Sequence, residues 1–216
     1  MRNRSTGLLL SLLILPALMA CQESTQQTKS DRYPWQITQM ADGSSRIFGI
    51  HLGVTTASEA RQKLGRTPSL ALFENPDGKL SLELFYKEFT RAGLSGKLIL
   101  TVSDDANLLQ AMKRQATKLD KLESGVTQYR LDVQAQATMD SLPVVAITYV
   151  PYANLEEDVI LARFGEPAER IRSHEQAQHW LYPDKGLDVI INEAGKEILQ
   201  YVSPLEFDKL TKPLRR

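Results

Sequence analysis

The only cysteine among the 216 residues, Cys21, excludes an intramolecular disulfide, so this chain must fold on burial and hydrogen bonding alone. Its position is as informative as its solitude. Cys21 stands where an apolar run, Gly7 to Ala20 (GLLLSLLILPALMA), gives way to the polar stretch QESTQQTKSDR, Gln22 to Arg32. Ahead of the apolar run lie Arg2 and Arg4 and no acid. A basic start, a short apolar segment and a small residue before the cut are the parts of a secretory leader. A spanning helix needs about 20 apolar residues; this run is shorter and Pro16 interrupts it.

Leu18-Met19-Ala20-Cys21 resembles the lipobox of bacterial lipoproteins. The resemblance implies a leader over 1–20 cleaved before Cys21, a diacylglycerol on the thiol and an acylated new amino terminus. Two acyl chains suffice for stable anchoring, at about 0.8 kcal/mol per buried methylene. In enterobacterial lipoproteins an aspartate after the cysteine marks inner-membrane retention; Gln22 in that place implies the outer membrane, at its periplasmic face. The stretch 21–32 reads as a lipidated flexible tether, since it has no apolar residue to bury after Cys21. About ten residues at roughly 3.3 Å each reach at most some 35 Å.

The chain has 26 basic and 26 acidic residues; losing Arg2 and Arg4 with the leader leaves about two more acids than bases, which offers no steering toward nucleic acid or anionic lipid. No nucleic-acid partner is expected.

The remainder reads as α+β. Trp35–Thr38 and Arg46–Phe48 form a hairpin around Asp42-Gly43. In TTASEARQKLG, Thr56 and Glu59 make a capping-box pattern and Gly65 ends the helix. Strands are predicted at Leu70–Glu74, Leu80–Tyr86 and Leu94–Val102, the first two joined by Asn75-Pro76-Asp77-Gly78. A helix follows over Ser103–Lys118, then a short strand at Tyr129–Leu131 and a short helix at Val133–Met139. Val144–Val150 is a buried-type strand. NLEEDVILARFGEP repeats the capped helix, with Asn154 and Glu157 as its box and Gly165 at its end. Four strands close the chain: Ala168–Ser173, Ala177–Tyr182, Leu187–Ile191 and Glu197–Val202. Asn192-Glu193-Ala194-Gly195 marks the last turn, and TKPLRR reads as a solvated basic tail.

Each half is therefore a strand, a capped helix closed by glycine, a proline and an antiparallel meander. The expected architecture is two diverged helix-plus-antiparallel-meander units, 33–125 and 126–216, packed together. Phe164-Gly165-Glu166-Pro167 with Trp180-Leu181-Tyr182 resembles the SmpA/OmlA group of small outer-membrane lipoproteins. Leu64-Gly65-Arg66-Thr67-Pro68 matches more loosely, with one extra residue before the proline and no Trp-x-Tyr. That group includes an accessory subunit of the machinery that inserts β-barrels, and the β-lactamase-inhibitor protein fold similarly holds two such units in tandem. The resemblance implies architecture and compartment more than activity.

Chemical motifs are weak. His174 and His179 are five apart, so neither a helix nor a strand presents both to one metal. Gly93-Leu94-Ser95-Gly96 misses the nucleophile elbow by one position and opens a strand. Glu156-Glu157-Asp158 complements a helix N-terminus. No cofactor and no metal are expected. Trp180 and Tyr182 share one strand face and Leu181 takes the other. With Leu181 in the core, the two aromatics form an outward platform for a protein partner; with the aromatics in the core, the platform vanishes. They are the candidate partner-binding residues. The leading expectation is a non-catalytic lipid-anchored protein that binds an envelope protein, with sheet-edge pairing one mode. Its rivals are an inhibitor of a secreted or envelope hydrolase and an envelope enzyme gathering His51, His174 or His179 with a nucleophile.

Overall fold

The computed structural model describes residues 31–65, 67–173, 177–192 and 196–215. The expected leader 1–20, Cys21, the expected tether up to residue 30, Arg66, His174 and the expected turn at 193–195 lie outside the described residues. Among those described, no helix is long and apolar enough to cross a membrane.

The first elements form a small three-stranded sheet: β1 (Thr38–Gln39), β2 (Ser45–Ile47) and β3 (Ile50–His51). The expected turn at Asp42-Gly43 joins β1 to β2. The next turn, Phe48-Gly49, has positive φ at both residues, 54° and 81°. That is an uncomfortable backbone for a phenylalanine. Burial offsets it, because the ring packs edge-on against Phe89 and Tyr149, with centroids 5.3 and 5.6 Å away.

Helix α1 (Ala57–Leu64) starts and stops as its sequence predicts. Glu59 N donates to Thr56 Oγ1 at 3.2 Å and Thr56 N donates to Glu59 Oε2 at 2.9 Å. Gly65, at φ 62°, ends it.

A single antiparallel sheet of ten strands then carries the rest of the chain. β4 (Ser69–Glu74), β5 (Leu80–Arg91) and β6 (Leu94–Val102) form a meander. β5 runs five residues beyond the predicted end. A bulge between Tyr86 and Phe89 resets its register, so the ladder continues to the tight turn Ala92-Gly93, where both φ values are positive. Helix α2 (Ala106–Gln115) follows, then β7 (Thr117–Lys121), β8 (Thr127–Arg130) and helix α3 (Val133–Ser141). The predicted helix over Ser103–Lys118 is shorter at both ends. Asp105 caps its start, and Ala116 is extended at φ −80° and ψ 148°, leading into β7, which the sequence reading missed.

β9 (Val144–Pro151), helix α4 (Glu157–Phe164), β10 (Glu169–Arg172), β11 (Ala177–Tyr182), β12 (Leu187–Asn192) and β13 (Ile198–Val202) complete the sheet, before a short helix α5 (Asp208–Thr211). The strand order is β10-β11-β12-β13-β9-β6-β5-β4-β8-β7. β6 and β9 pair near the middle of the sheet, from Gly96 opposite Pro151 to Val102 opposite Val144. Gly96 is required there: a Cβ would fall within 3.0 Å of the Val150 carbonyl oxygen and of the Tyr149 ring. The expected boundary at 125/126 falls in the turn between β7 and β8. β8, which follows it, pairs with β4.

Helix α4 ends at Gly165, at φ 80°, as expected, but begins differently. The predicted capping box of Asn154 and Glu157 does not form; the N-cap is Glu156, without a side-chain bond to the helix. Asn154 Oδ1 instead accepts from Lys196 Nζ, and Leu155 N donates to Glu197 Oε2 at 3.0 Å.

One face of the sheet and the helices share the main core. Leu82, Leu84, Leu98, Leu100, Ile147, Tyr149, Leu199 and Tyr201 pack with Ala60 of α1, Met139 of α3 and Ile160 and Phe164 of α4. The opposite face holds a smaller core in which Leu181 and Val202 pack against Phe207, with Leu210 and Leu214 beside them. The C-terminal segment is therefore a cover, not a solvated tail. Thr211 is buried, and Arg215 Nη2 bonds Glu169 Oε2 at 2.7 Å.

Candidate functional site

Trp180 and Tyr182 do not form a surface platform. Trp180 is 0% exposed and Tyr182 3%, because both point into the main core. Leu181 is buried as well, under the C-terminal segment. The alternation correctly separated two faces, but both are covered here. Tyr182 Oη donates to the Gly165 carbonyl at 3.0 Å, and its ring lies 6.0 Å from that of Phe164. Burial pushes its phenol up to about 12. Phe-Gly and Trp-x-Tyr are thus two sides of one packing contact: the strand tyrosine holds the end of α4.

The edges of the sheet are poor docking rails. β10 is four residues long and carries Glu169, Arg170 and Arg172, and β7 is five residues long with Lys118 and Lys121. Short, charged edges discourage addition of another strand.

Two histidine clusters are present. Ser44 Oγ and Asp42 Oδ2 lie 2.6 and 3.0 Å from His51 Nε2. This trio has the composition of a hydrolase triad without its wiring. Both partners meet the same ring nitrogen, whereas a relay puts serine and aspartate on different ones. Ser44 N and Oγ also donate to Asp42 Oδ1, at 2.9 and 2.5 Å, which is the hydrogen bonding of an Asx turn. Those bonds hold the Asp42 carboxyl below its usual range. On β11 and β12, His179 Nδ1 lies 2.7 Å from Asp188 Oδ2, both residues buried. Burial raises the Asp188 carboxyl's pKa and the bond to His179 opposes that rise. His179 lies on β11, and His174 is outside the described residues.

A groove of about 710 Å³ lies on the second face of the sheet. Its floor is drawn from four strands: Ser81 and Glu83 of β5, Thr101 of β6, Thr148 of β9 and Gln200 of β13. Register brings them together, since Glu83 pairs with Thr101 and Thr148 lies between Ile99 and Gln200. One wall is the start of α2 with Gln110; the other is the C-terminal segment with Glu206, Lys209 and Leu210. Lys209 Nζ ties the walls together, bonding Asp104 Oδ2 and, at 2.6 Å, Glu206 Oε1.

Glu83 is the unusual member of this floor. Its carboxylate accepts one hydrogen bond, from Ser81 Oγ at 2.7 Å, and among the described residues it has no ion-pair partner. Burial pushes its pKa up and the Ser81 bond only partly opposes this. A carboxyl whose folded pKa is raised favours the folded state below the ordinary glutamate range, and that advantage is lost as pH rises through the folded pKa. Glu83→Gln is therefore expected to melt above the wild type at neutral pH, with the difference shrinking as the pH falls toward 4. Melting curves across that range check it; a variant that melts lower at pH 7 contradicts it.

None of the five floor residues was singled out from sequence. They lie on strands far apart in the chain, and no local pattern groups them. No family model, curated protein or solved structure matches the chain.

Proposed function

We propose that this chain is a non-catalytic lipoprotein of the bacterial envelope, anchored through acyl chains on Cys21 at the periplasmic face of the outer membrane, which holds a segment of a protein partner in the groove. The observation that carries the binding reading is the groove itself: a concavity of about 710 Å³ on the sheet face opposite α1, α3 and α4, with hydrogen-bonding side chains on its floor. Such a mixed concave surface suits a polypeptide segment. The anchor reading rests on the basic, apolar and small-residue leader that ends in Leu-Met-Ala-Cys.

The same proposal takes the chain as two related helix-plus-meander units, α1 with β4–β6 and α4 with β10–β13, in the manner of the SmpA/OmlA-like lipoproteins. Its support is local. Both helices are eight residues long, both end at a glycine of positive φ, and each glycine N–H bonds the carbonyl four residues back, at 3.0 and 2.8 Å. Each is followed by a proline and an antiparallel meander.

Cys21→Ser is expected to abolish incorporation of a fatty-acid analogue in cells and to leave the leader uncleaved. Continued labelling would sink the anchor. For the groove, a photo-crosslinking residue at Gln110, on its rim, is expected to capture a discrete partner in intact cells. The same probe at exposed Gln62 of α1 is expected not to. Filling the groove with Thr148→Trp should abolish the Gln110 product. A product that survives the filled groove, or arises equally at Gln62, overturns the groove reading.

A further inference from the structure

We infer that Glu83 sets the specificity of the groove by receiving a lysine or arginine side chain carried on the partner's segment. This rests on the groove reading above and deepens it. Four of the five floor residues are uncharged hydrogen-bonding groups, and Glu83 is the one that ionises. Its surroundings supply a single hydrogen bond, from Ser81. Three lysines also line the groove: Lys209 is held by Asp104 and Glu206 in the wall, and Lys79 and Lys212 make no ion pair with Glu83 among the described residues. A half-buried carboxylate without a cation is costly to keep ionised. A guanidinium or ammonium entering from the groove supplies the missing charge and forms charge-assisted hydrogen bonds, which are stronger than neutral ones. Ser81 already fixes one carboxylate oxygen and so orients the other. The neutral hydroxyls and amide of Thr101, Thr148 and Gln200 can bond the peptide groups on either side of the basic residue.

The test uses the full chain in detergent micelles, carbon-13 labelled at glutamate carboxyls, with Glu83→Gln assigning the Glu83 signal. The probes are the capped tripeptides acetyl-Ala-Lys-Ala-amide and acetyl-Ala-Gln-Ala-amide. The lysine peptide is expected to bind about tenfold more tightly than the glutamine peptide, and to lose about that factor in Glu83→Gln. It is also expected to move the Glu83 titration midpoint downward, while the glutamine peptide leaves it in place. Equal binding of the two peptides, or undiminished binding of the lysine peptide by Glu83→Gln, overturns the inference. The failures are separable in cells. If the Gln110 crosslink forms unchanged in Glu83→Gln, the basic-residue assignment falls and the groove stands. If Thr148→Trp leaves the crosslink unchanged, the groove itself falls.

Discussion

Trp180→Ala is expected to lower the unfolding free energy by about 3–5 kcal/mol, the usual cost of emptying a large aromatic site. The indole is 0% exposed, pairs in register with Val189 on one side and Arg170 on the other, and is covered by the Arg170 guanidinium 4.1 Å from its ring centre. The Nε1 group is buried without a hydrogen-bond partner among the described residues, so the ring is held by packing and by the cation above it. Trp180→Phe keeps most of that packing and removes the unpaired N–H; it should cost well under half as much. Denaturant titration of the two variants separates these effects. A loss below about 1 kcal/mol in Trp180→Ala would place the indole outside the core. The result also governs partner experiments: a partner lost from Trp180→Ala reports unfolding, and the rim position Gln110 is the proper surface probe.

Gly186→Ala is expected to be comparably severe, by a different mechanism. Gly186 closes the turn between β11 and β12 in the left-handed conformation, φ 61° and ψ 32°. For an L-residue that backbone costs roughly 1–2 kcal/mol. In addition, a Cβ would fall within 3.0 Å of the Val202 carbonyl oxygen and 3.0 Å from Pro204 N, where β13 gives way to the C-terminal cover. Overpacking of this kind adds about 1–3 kcal/mol. Gly78 provides the control. Its φ is 81°, but its Cβ would meet nothing within 4 Å, so Gly78→Ala isolates the backbone term. Equal melting temperatures for the two variants would show that the close approach at Gly186 carries no energy.

Local signals survived folding wherever their partners were local. β6 and β11 have their predicted limits because alternation was bracketed by turns. Thr56 found Glu59 because the two are one helical turn apart. Asn154 and Glu157 have the same spacing, yet Lys196, distant in sequence, bonds the Asn154 side-chain oxygen, and Glu197 accepts from the neighbouring Leu155 N. Trp180 shows the limit of alternation: it separates faces but does not say which are covered, and Phe207, Leu210 and Leu214 cover the second one from the far end of the chain. The bulge after Tyr86 has no single-residue signature, so β5 was read short. The candidate groove was not legible at all, because its chemistry is distributed over β5, β6, β9 and β13 and exists only once their register is set. Cys21 is the opposite case: its resemblance to a lipobox cysteine rests on four adjacent residues, Leu18 to Cys21, which lie outside the described residues.

The join between β6 and β9 bears on how the protein comes apart. β6 and β9 each have one edge bonded within their own stretch of chain, to β5 and β13, and the other edge bonded only to each other. A single backbone cut near Asp132, between β8 and α3, would still leave both pieces clasped along this line, with Arg61 of one bonded to Asp140 of the other at 2.6 Å. Pulled apart, each piece would present a raw, mostly apolar margin of the sort that seeds aggregation. The nicked molecule is thus expected to hold together as a heterodimer, and its fragments to be soluble only when produced side by side.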